Sequence, residues 1–271
     1  MISTIFSARK LRSFLLIITL LSSIAISEES FHLIEKKELP NQLGTFREIE
    51  FNHDQTATIY TALLNPEYHA RFYQDESKIQ FFASYLDELN RHHDFTIGIN
   101  GGFYQPNFTP VGLFIYQGKM IKPLVHNSLL KACIIINKNQ KIILETDLDQ
   151  CLHADNAMQT GPLLIQNGKI NPHLQHLQTK SKSMQEFFDL HKRTLLAFTD
   201  ENQIVMIVTS PISLMDLANF LQNHPHALGT KKIMTAINLD GGSSTGMYVR
   251  FPSEAFYFHE LKHVKTFIFV N

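Results

Sequence analysis

The stretch Ile233-Met234-Thr235-Ala236-Ile237-Asn238-Leu239-Asp240-Gly241-Gly242-Ser243-Ser244-Thr245-Gly246-Met247-Tyr248-Val249 reads as strand, loop, strand. The apolar run before the loop and the one after it both have β character. In between lie a carboxylate, a carboxamide, three glycines and three hydroxyls. Glycine lets backbone approach a ligand closely, and successive N–H groups in such a loop can form an anion-binding nest. Asp-Gly between two β-like runs is also a strong hairpin signal, so both readings stay open at this point. The exit matters for the fold. A serine-hydrolase elbow needs strand, turn and helix, whereas Met247-Tyr248-Val249 continues as a strand.

Working outward, the same hairpin grammar recurs. From Phe46 to Tyr73 apolar and polar residues alternate as two or three antiparallel strands, with a turn at Asn65-Pro66. Phe95 to Ile99 is a short strand ending at Asn100-Gly101-Gly102-Phe103-Tyr104. Ala132 to Leu144 and Thr194 to Val208 are hairpins around Asn137-Lys138-Asn139 and Asp200-Glu201-Asn202. Val264 to Val270 closes the chain as a strand. Two helices stand out. Ser77-Lys78-Ile79-Gln80 is a capping box opening a helix to about Arg91. Ser213-Leu214-Met215-Asp216 opens another, which His224-Pro225 ends near Asn223. Strands cluster rather than alternate with helices, which predicts an α+β fold of mainly antiparallel, hairpin-rich sheets with two principal helices. Leu113–Lys119 echoes Leu163–Lys169, two apolar strands turning at Gly-Lys. Two related halves and two generic hairpins are equally compatible with that echo.

Residues 1–27 read as a secretory signal peptide: a basic start at Arg9, Lys10 and Arg12, a short apolar run from Phe14 to Ile26, and small residues before Ser27/Glu28. Residues 28–271 are then expected to be a single domain, periplasmic or secreted, with no stable membrane span once the leader is cut. The formal net charge is −1. With no basic excess and no Lys/Arg run, nucleic acid is not an expected partner. Cys133 and Cys151, the two cysteines of the chain, are either a disulfide or two buried thiols. His92-His93, His153-x-Asp155 and His224-Pro225-His226 have no zinc-site spacing. No cofactor is expected; a divalent cation on Asp240 and nearby carbonyls stays open.

Asn100-Gly101-Gly102-Phe103-Tyr104, then Gly161-Pro162-Leu163-Leu164 with Gly168-Lys169, then Arg193-Thr194, then Asn238 to Thr245 together resemble the phosphodiester glycosidase domain family, in order from about Phe46 to Val270. The resemblance implies an α+β fold and hydrolysis of a sugar-1-phosphodiester. The residues suit that chemistry. Arg193 can pair with a phosphate, and backbone N–H groups at Gly101-Gly102 and Gly241-Gly242 can hold further oxygens. Asp240, Arg193 and Asn100 are the catalytic candidates. Gly101, Gly102, Phe103, Tyr104, Thr160, Gly161, Asn238, Gly241, Gly242, Ser243 and Thr245 are candidates for binding substrate.

Each has a structural alternative. Arg193 could be an ion-pair partner and Asp240 a turn former. Asn100 and Asn238 could bond their own backbone. Phe103 and Tyr104 could be core aromatics, and Thr160 could simply end a strand. Glycosidases usually use two carboxylates, and no second one sits in a matching motif. Lys262-His263 stands where an arginine-containing run is expected. The rival readings are a non-catalytic binder of a carbohydrate or sugar phosphodiester, and a different cell-wall glycoside hydrolase or transferase. The sequence leaves the oligomeric state open.

Overall fold

A computed structural model describes residues 29–74 and 95–271. The signal-peptide reading, the expected helix Ser77–Arg91 and the His92-His93 pair lie outside those residues.

Eighteen strands occur among the described residues, in three sheets of purely antiparallel pairs. The eight-stranded sheet takes, in spatial order, β1 (Ser30–Glu38), β2 (Gly44–Asn52), β3 (Thr56–Leu64), β14 (Ile204–Ile212), β13 (His191–Thr199), β15 (Ile233–Asn238), β11 (Leu163–Gln166) and β12 (Lys169–Ile170). A five-stranded sheet follows the order β7 (Lys119–Lys122), β6 (Phe114–Tyr116), β10 (Ala157–Thr160), β8 (Ala132–Ile136) and β9 (Ile142–Glu145). The third sheet runs β17 (Ala255–Phe258), β16 (Met247–Arg250), β5 (Ile97–Asn100), β18 (Thr266–Val270) and β4 (Ala70–Gln74).

The period-2 pattern explains the layering. In β13 Leu196 joins one core while Leu195 and Ala197 join another; in β14 Met206 and Val208 part from Val205 and Ile207 in the same way. The first core lies between the large sheet and the two small ones, and includes Phe46, Leu163, Ile237, Ile99, Ile134 and Ile268. The second lies between the large sheet and the helices, and includes Leu174, Phe188, Leu217, Phe220 and Leu221. Each such aliphatic or aromatic side chain taken from water contributes about 1.5–3 kcal/mol. The central strands are therefore apolar on both faces, and those of the hairpin Thr194–Val208 read as continuous hydrophobic runs.

Among the described residues there are four α-helices: α1 (Leu148–Cys151), α2 (His173–Thr179), α3 (Lys182–Phe188) and α4 (Leu214–Asn223). The expected helix near Ser213 is α4. Ser213 Oγ accepts the Asp216 N–H at 3.0 Å and donates to Asp216 Oδ2 at 2.6 Å, a cap of the kind worth about 1 kcal/mol. Helices α2 and α3, and the edge strand β1, escape the sequence reading. The helices have only seven residues each, too short for a persistent apolar stripe, and β1 is mostly exposed. Cys133 on β8 and Cys151 on α1 form a disulfide. Both are buried, and the bond ties the short helix to its sheet. No helix among the described residues is long and apolar enough to cross a membrane.

Candidate active site

Three chain segments converge at one end of the sheets. The loop 238–246 leaves β15 after Asn238, the loop 100–110 leaves β5, and the segment 259–265 enters β18. Together they line a cavity of about 580 Å³, walled by Tyr104, Phe108, Asp240, Gly241, Ser243, Ser244, Lys262, His263 and Lys265 among others. Asp240 is the one carboxylate among the described lining residues; Lys262, His263 and Lys265 face it as basic groups.

The loop is held from behind by a buried carboxamide. Asn100 Nδ2 donates to the Asp240 carbonyl at 2.8 Å. Its Oδ1 accepts from Thr194 Oγ1 at 2.7 Å and from the Gly246 N–H at 3.1 Å. One side chain thus joins both ends of the loop to strand β13. Backbone bonds add to this: Asp240 N–H to Gly101 O at 3.1 Å, and Leu239 N–H to Thr194 O at 2.8 Å. On the other side, Ser243 O accepts from the N–H groups of Leu261 (2.7 Å) and Lys262 (3.1 Å). The basic segment is therefore pinned directly onto the glycine loop.

The glycines have separate reasons. A Cβ at Gly241 would stand 2.8 Å from the Lys192 carbonyl and 3.8 Å from Arg193 Cα, so the loop lies directly on β13. Gly242 has φ +61° with open space around it, so its need is conformational.

Burial pushes the Asp240 carboxyl up to about 6. The Ser244 hydroxyl, the Gly241 N–H and the Lys262 ammonium pull the other way, as donors and cations near a carboxylate do. The Tyr104 phenol is also buried and is pushed above its usual range, with Thr266 and Asp240 the groups acting on it. Its hydroxyl has no partner in hydrogen-bonding geometry, and neither do Thr266 Oγ1, Thr245 Oγ1 and Asn238 Oδ1.

The expected residues thus separate by layer. Asp240, Gly241, Ser243 and Tyr104 line the cavity. Gly101, Gly102, Thr245 and Asn100 are buried behind it. Thr160 Oγ1 donates to Asn238 O at 2.7 Å, and Asn238 Nδ2 donates to Leu239 O at 2.7 Å and to Gly161 O at 3.4 Å. These three therefore hold the strand end beneath the loop. Phe103 packs toward Phe187, with ring centres 6.1 Å apart, away from the cavity lining.

Arg193 is buried. Its Nε donates to Ile212 O at 3.2 Å, its Nη2 donates to Asp189 O, and its guanidinium lies over the Phe187 ring. Burial lowers its pKa to about 10, with Asp189 opposing. Its backbone touches the loop through Gly241, but its guanidinium is not part of the cavity wall.

Ser244 lies inside the glycine-rich motif but was not singled out as a site candidate, and Lys265 escaped the sequence reading, since nothing in a lone lysine marks it. Lys262-His263 did carry a signal, as the basic pair just before the last strand. A second buried carboxylate, Glu260, lies behind the loop. It accepts from Tyr257 Oη at 2.6 Å, and its Oε2 is 3.1 Å from where a Cβ on Gly246 would be. Among the described residues no three His, Cys, Asp or Glu side chains gather in a metal-binding arrangement.

The family model described as phosphodiester glycosidase matches residues 93–270, which include every loop of this site. The chain belongs to the phosphodiester glycosidase family. No curated protein matches the sequence. Among solved structures, a hypothetical protein from Synechocystis is similar with a TM-score of 0.60 at 15% identity, over 87% of this chain and 63% of that one. The zebrafish N-acetylglucosamine-1-phosphodiester alpha-N-acetylglucosaminidase catalytic domain, auto-inhibited by its pro-peptide, is similar with a TM-score of 0.55 at 16% identity, over 90% of this chain and 83% of that one. This phosphodiester glycosidase chain shares the fold of both. It spans less than two thirds of the Synechocystis protein.

Proposed function

We propose that this protein is a secreted or periplasmic hydrolase that cleaves a sugar-1-phosphodiester, on the sugar side of the linkage, in a glycan or envelope polymer. The observation that carries the reading is Asp240: a half-buried carboxylate, supported by Ser244, that lines one cavity together with Lys262, His263 and Lys265. A phosphodiester brings one anion beside one anomeric carbon. The lysines of the cavity wall suit the anion, and the carboxylate suits the carbon.

In the proposed reaction Asp240 works ionised, either as base for the water that attacks the anomeric carbon or as nucleophile there, in which case water then displaces the carboxylate from that carbon and frees the sugar. The bond between that carbon and the phosphate oxygen breaks, and the phosphomonoester leaves with the bonding electrons. Such a leaving group needs less help from an acid than an alkoxide does, so one carboxylate suffices. Lys262, Lys265 and the loop N–H groups take the phosphate oxygens. Arg193 acts through the loop, by holding β13 against Gly241. Asn100 positions the Asp240 backbone. The disulfide supports a location outside the reducing cytoplasm.

The test is hydrolysis of a GlcNAc-1-phosphodiester in heavy-oxygen water. Label on the released sugar is expected; label on phosphate would overturn cleavage on the sugar side. Asp240→Asn separates an enzyme from a binder, because only an enzyme has turnover to lose while affinity persists.

A further inference from the structure

A second cavity, of about 470 Å³, opens at the opposite end of the large sheet. Strand β15 runs from Thr235, in its wall, toward Asp240, in the wall of the first. At 3.3 Å per residue the two are about 17 Å apart along the strand. The volume falls within the range of small-molecule sites.

Its chemistry contrasts with that of the first cavity. Among the described residues no aspartate, glutamate, lysine, arginine or histidine lines it. On one side are Phe198, half-buried, and Ile143, which keeps 39% of its surface. Around them are the carboxamides of Gln166, Asn167 and Asn202 and the hydroxyl of Thr235. None of those three carboxamides has a protein hydrogen-bond partner among the described residues, so their donors and acceptors are available. Of the charges nearby, Lys232 packs against Gly168, and others are engaged. Lys141 Nζ donates to the carbonyls of Pro66 (2.7 Å) and Tyr68 (2.6 Å). Lys231 pairs with Glu201 at 3.0 Å, and Glu145 accepts the Asp147 N–H at 2.8 Å. Turn geometry accounts for asparagine at 167 and 202, where φ is +53° and +57°. It does not account for Gln166 on a strand, or for an aromatic ring and an open isoleucine facing the same space.

We infer that this cleft binds an uncharged carbohydrate segment, a neutral oligosaccharide held by Phe198 and the Gln166, Asn167 and Asn202 carboxamides. A sugar ring presents a C–H face that packs on an aromatic or aliphatic surface and a rim of hydroxyls that both donate and accept. Carboxamides match that rim because each has both functions. The lining itself offers an anionic sugar no counter-charge. The inference stands apart from the hydrolytic reading, since it concerns the other end of the sheet.

Calorimetric titration with neutral malto-, cello- and chito-oligosaccharides tests it, on wild type, Gln166→Lys, Ile143→Lys and Asp240→Asn. Both lysine substitutions fall on exposed strand positions, and unchanged thermal melts confirm folding. Saturable binding of at least one series is expected, weakened at least tenfold by either lysine and unchanged by Asp240→Asn. No saturation up to about 10 mM, or binding that Asp240→Asn abolishes and Gln166→Lys leaves intact, overturns the assignment. Failure of phosphodiester hydrolysis would not bear on it.

Discussion

Asn100 and Asp240 are 140 positions apart in the chain, yet the carboxamide of the first donates at 2.8 Å to the carbonyl of the second. The same carboxamide receives the Thr194 hydroxyl and the Gly246 N–H. Removing it strands three buried polar groups at once. Each buried group left unsatisfied costs about 1–3 kcal/mol. Asn100→Ala is therefore expected to lower stability by about 3 kcal/mol and to displace the loop. Asn100→Asp keeps the acceptor and loses the donor, placing a carboxylate against a carbonyl. Urea unfolding and kcat measured together check this. Wild-type values for both variants would return Asn100 to an ordinary buried residue.

Asp240 links rate and stability through pH. Its pKa rises on folding from the ordinary 3.8 to about 6. The folded state therefore binds the proton more tightly, and protonated Asp240 is the form that folding favours. The corresponding stability is fully present below about 3.8 and is lost as pH rises through about 6. The shift corresponds to about 3 kcal/mol. Asp240→Asn is expected to raise the melting temperature at pH 7 to 8 and to leave it nearly unchanged near pH 3.5. Melting curves across that range check the sign.

The same titration sets the rate. With Asp240 acting ionised, kcat/KM rises with pH through about 6 and then levels. A profile that instead falls above 6 would make Asp240 an acid.

Gly241 tests the seat of the loop. Gly241→Ala puts a methyl 2.8 Å from the Lys192 carbonyl. The neighbour is backbone, so the loop must lift rather than a side chain turn away. A loss of about 1–3 kcal/mol in stability and a larger fractional loss in kcat than in substrate affinity are expected. Kinetics beside unfolding curves would show it.

Lys262→Ala and Lys265→Ala should act differently from each other's neighbours in the loop. Both lysines are in the cavity wall, and Lys262 is exposed. Loss of both is expected to raise KM roughly tenfold, in line with charge-assisted contacts to an anion, with little change in melting temperature. The KM effect should shrink as salt is added.

Cys133 and Cys151 should matter for stability alone. They close a loop of 18 residues, and a loop of that size is worth about 3 kcal/mol. Neither lines the cavity. Cys133→Ala with Cys151→Ala is expected to lower the unfolding free energy by that order while kcat/KM holds.

Much of this was readable from the residues. The hairpins announced themselves through alternation and turn residues, and α4 through Ser213 and His224-Pro225. The glycine loop was legible as a strand-to-strand connection, and its family likeness as an ordered set of motifs. What the sequence concealed has physical causes. Helices α2 and α3 are shorter than the period needed to show a face. Buried polar residues look like ligands in a sequence: Asn100, Thr160, Asn238 and Arg193 have the right chemistry, but their bonds go to backbone carbonyls and neighbouring side chains behind the loop. A cavity-wall residue such as Lys265 looks ordinary, because only the fold brings it into the same cavity as Asp240. The two-halves idea remains a reading of hairpin similarity, since the three sheets have different strand orders.

Strand β18 sits between β5 and β4 rather than at an edge. Both of its partners come from the first half of the chain, so that sheet can close only once residues 266–270 have been made. Until then the cavity beside Asp240 lacks the side that Leu261 to Lys265 supply, and the site is the last part of the fold to be completed.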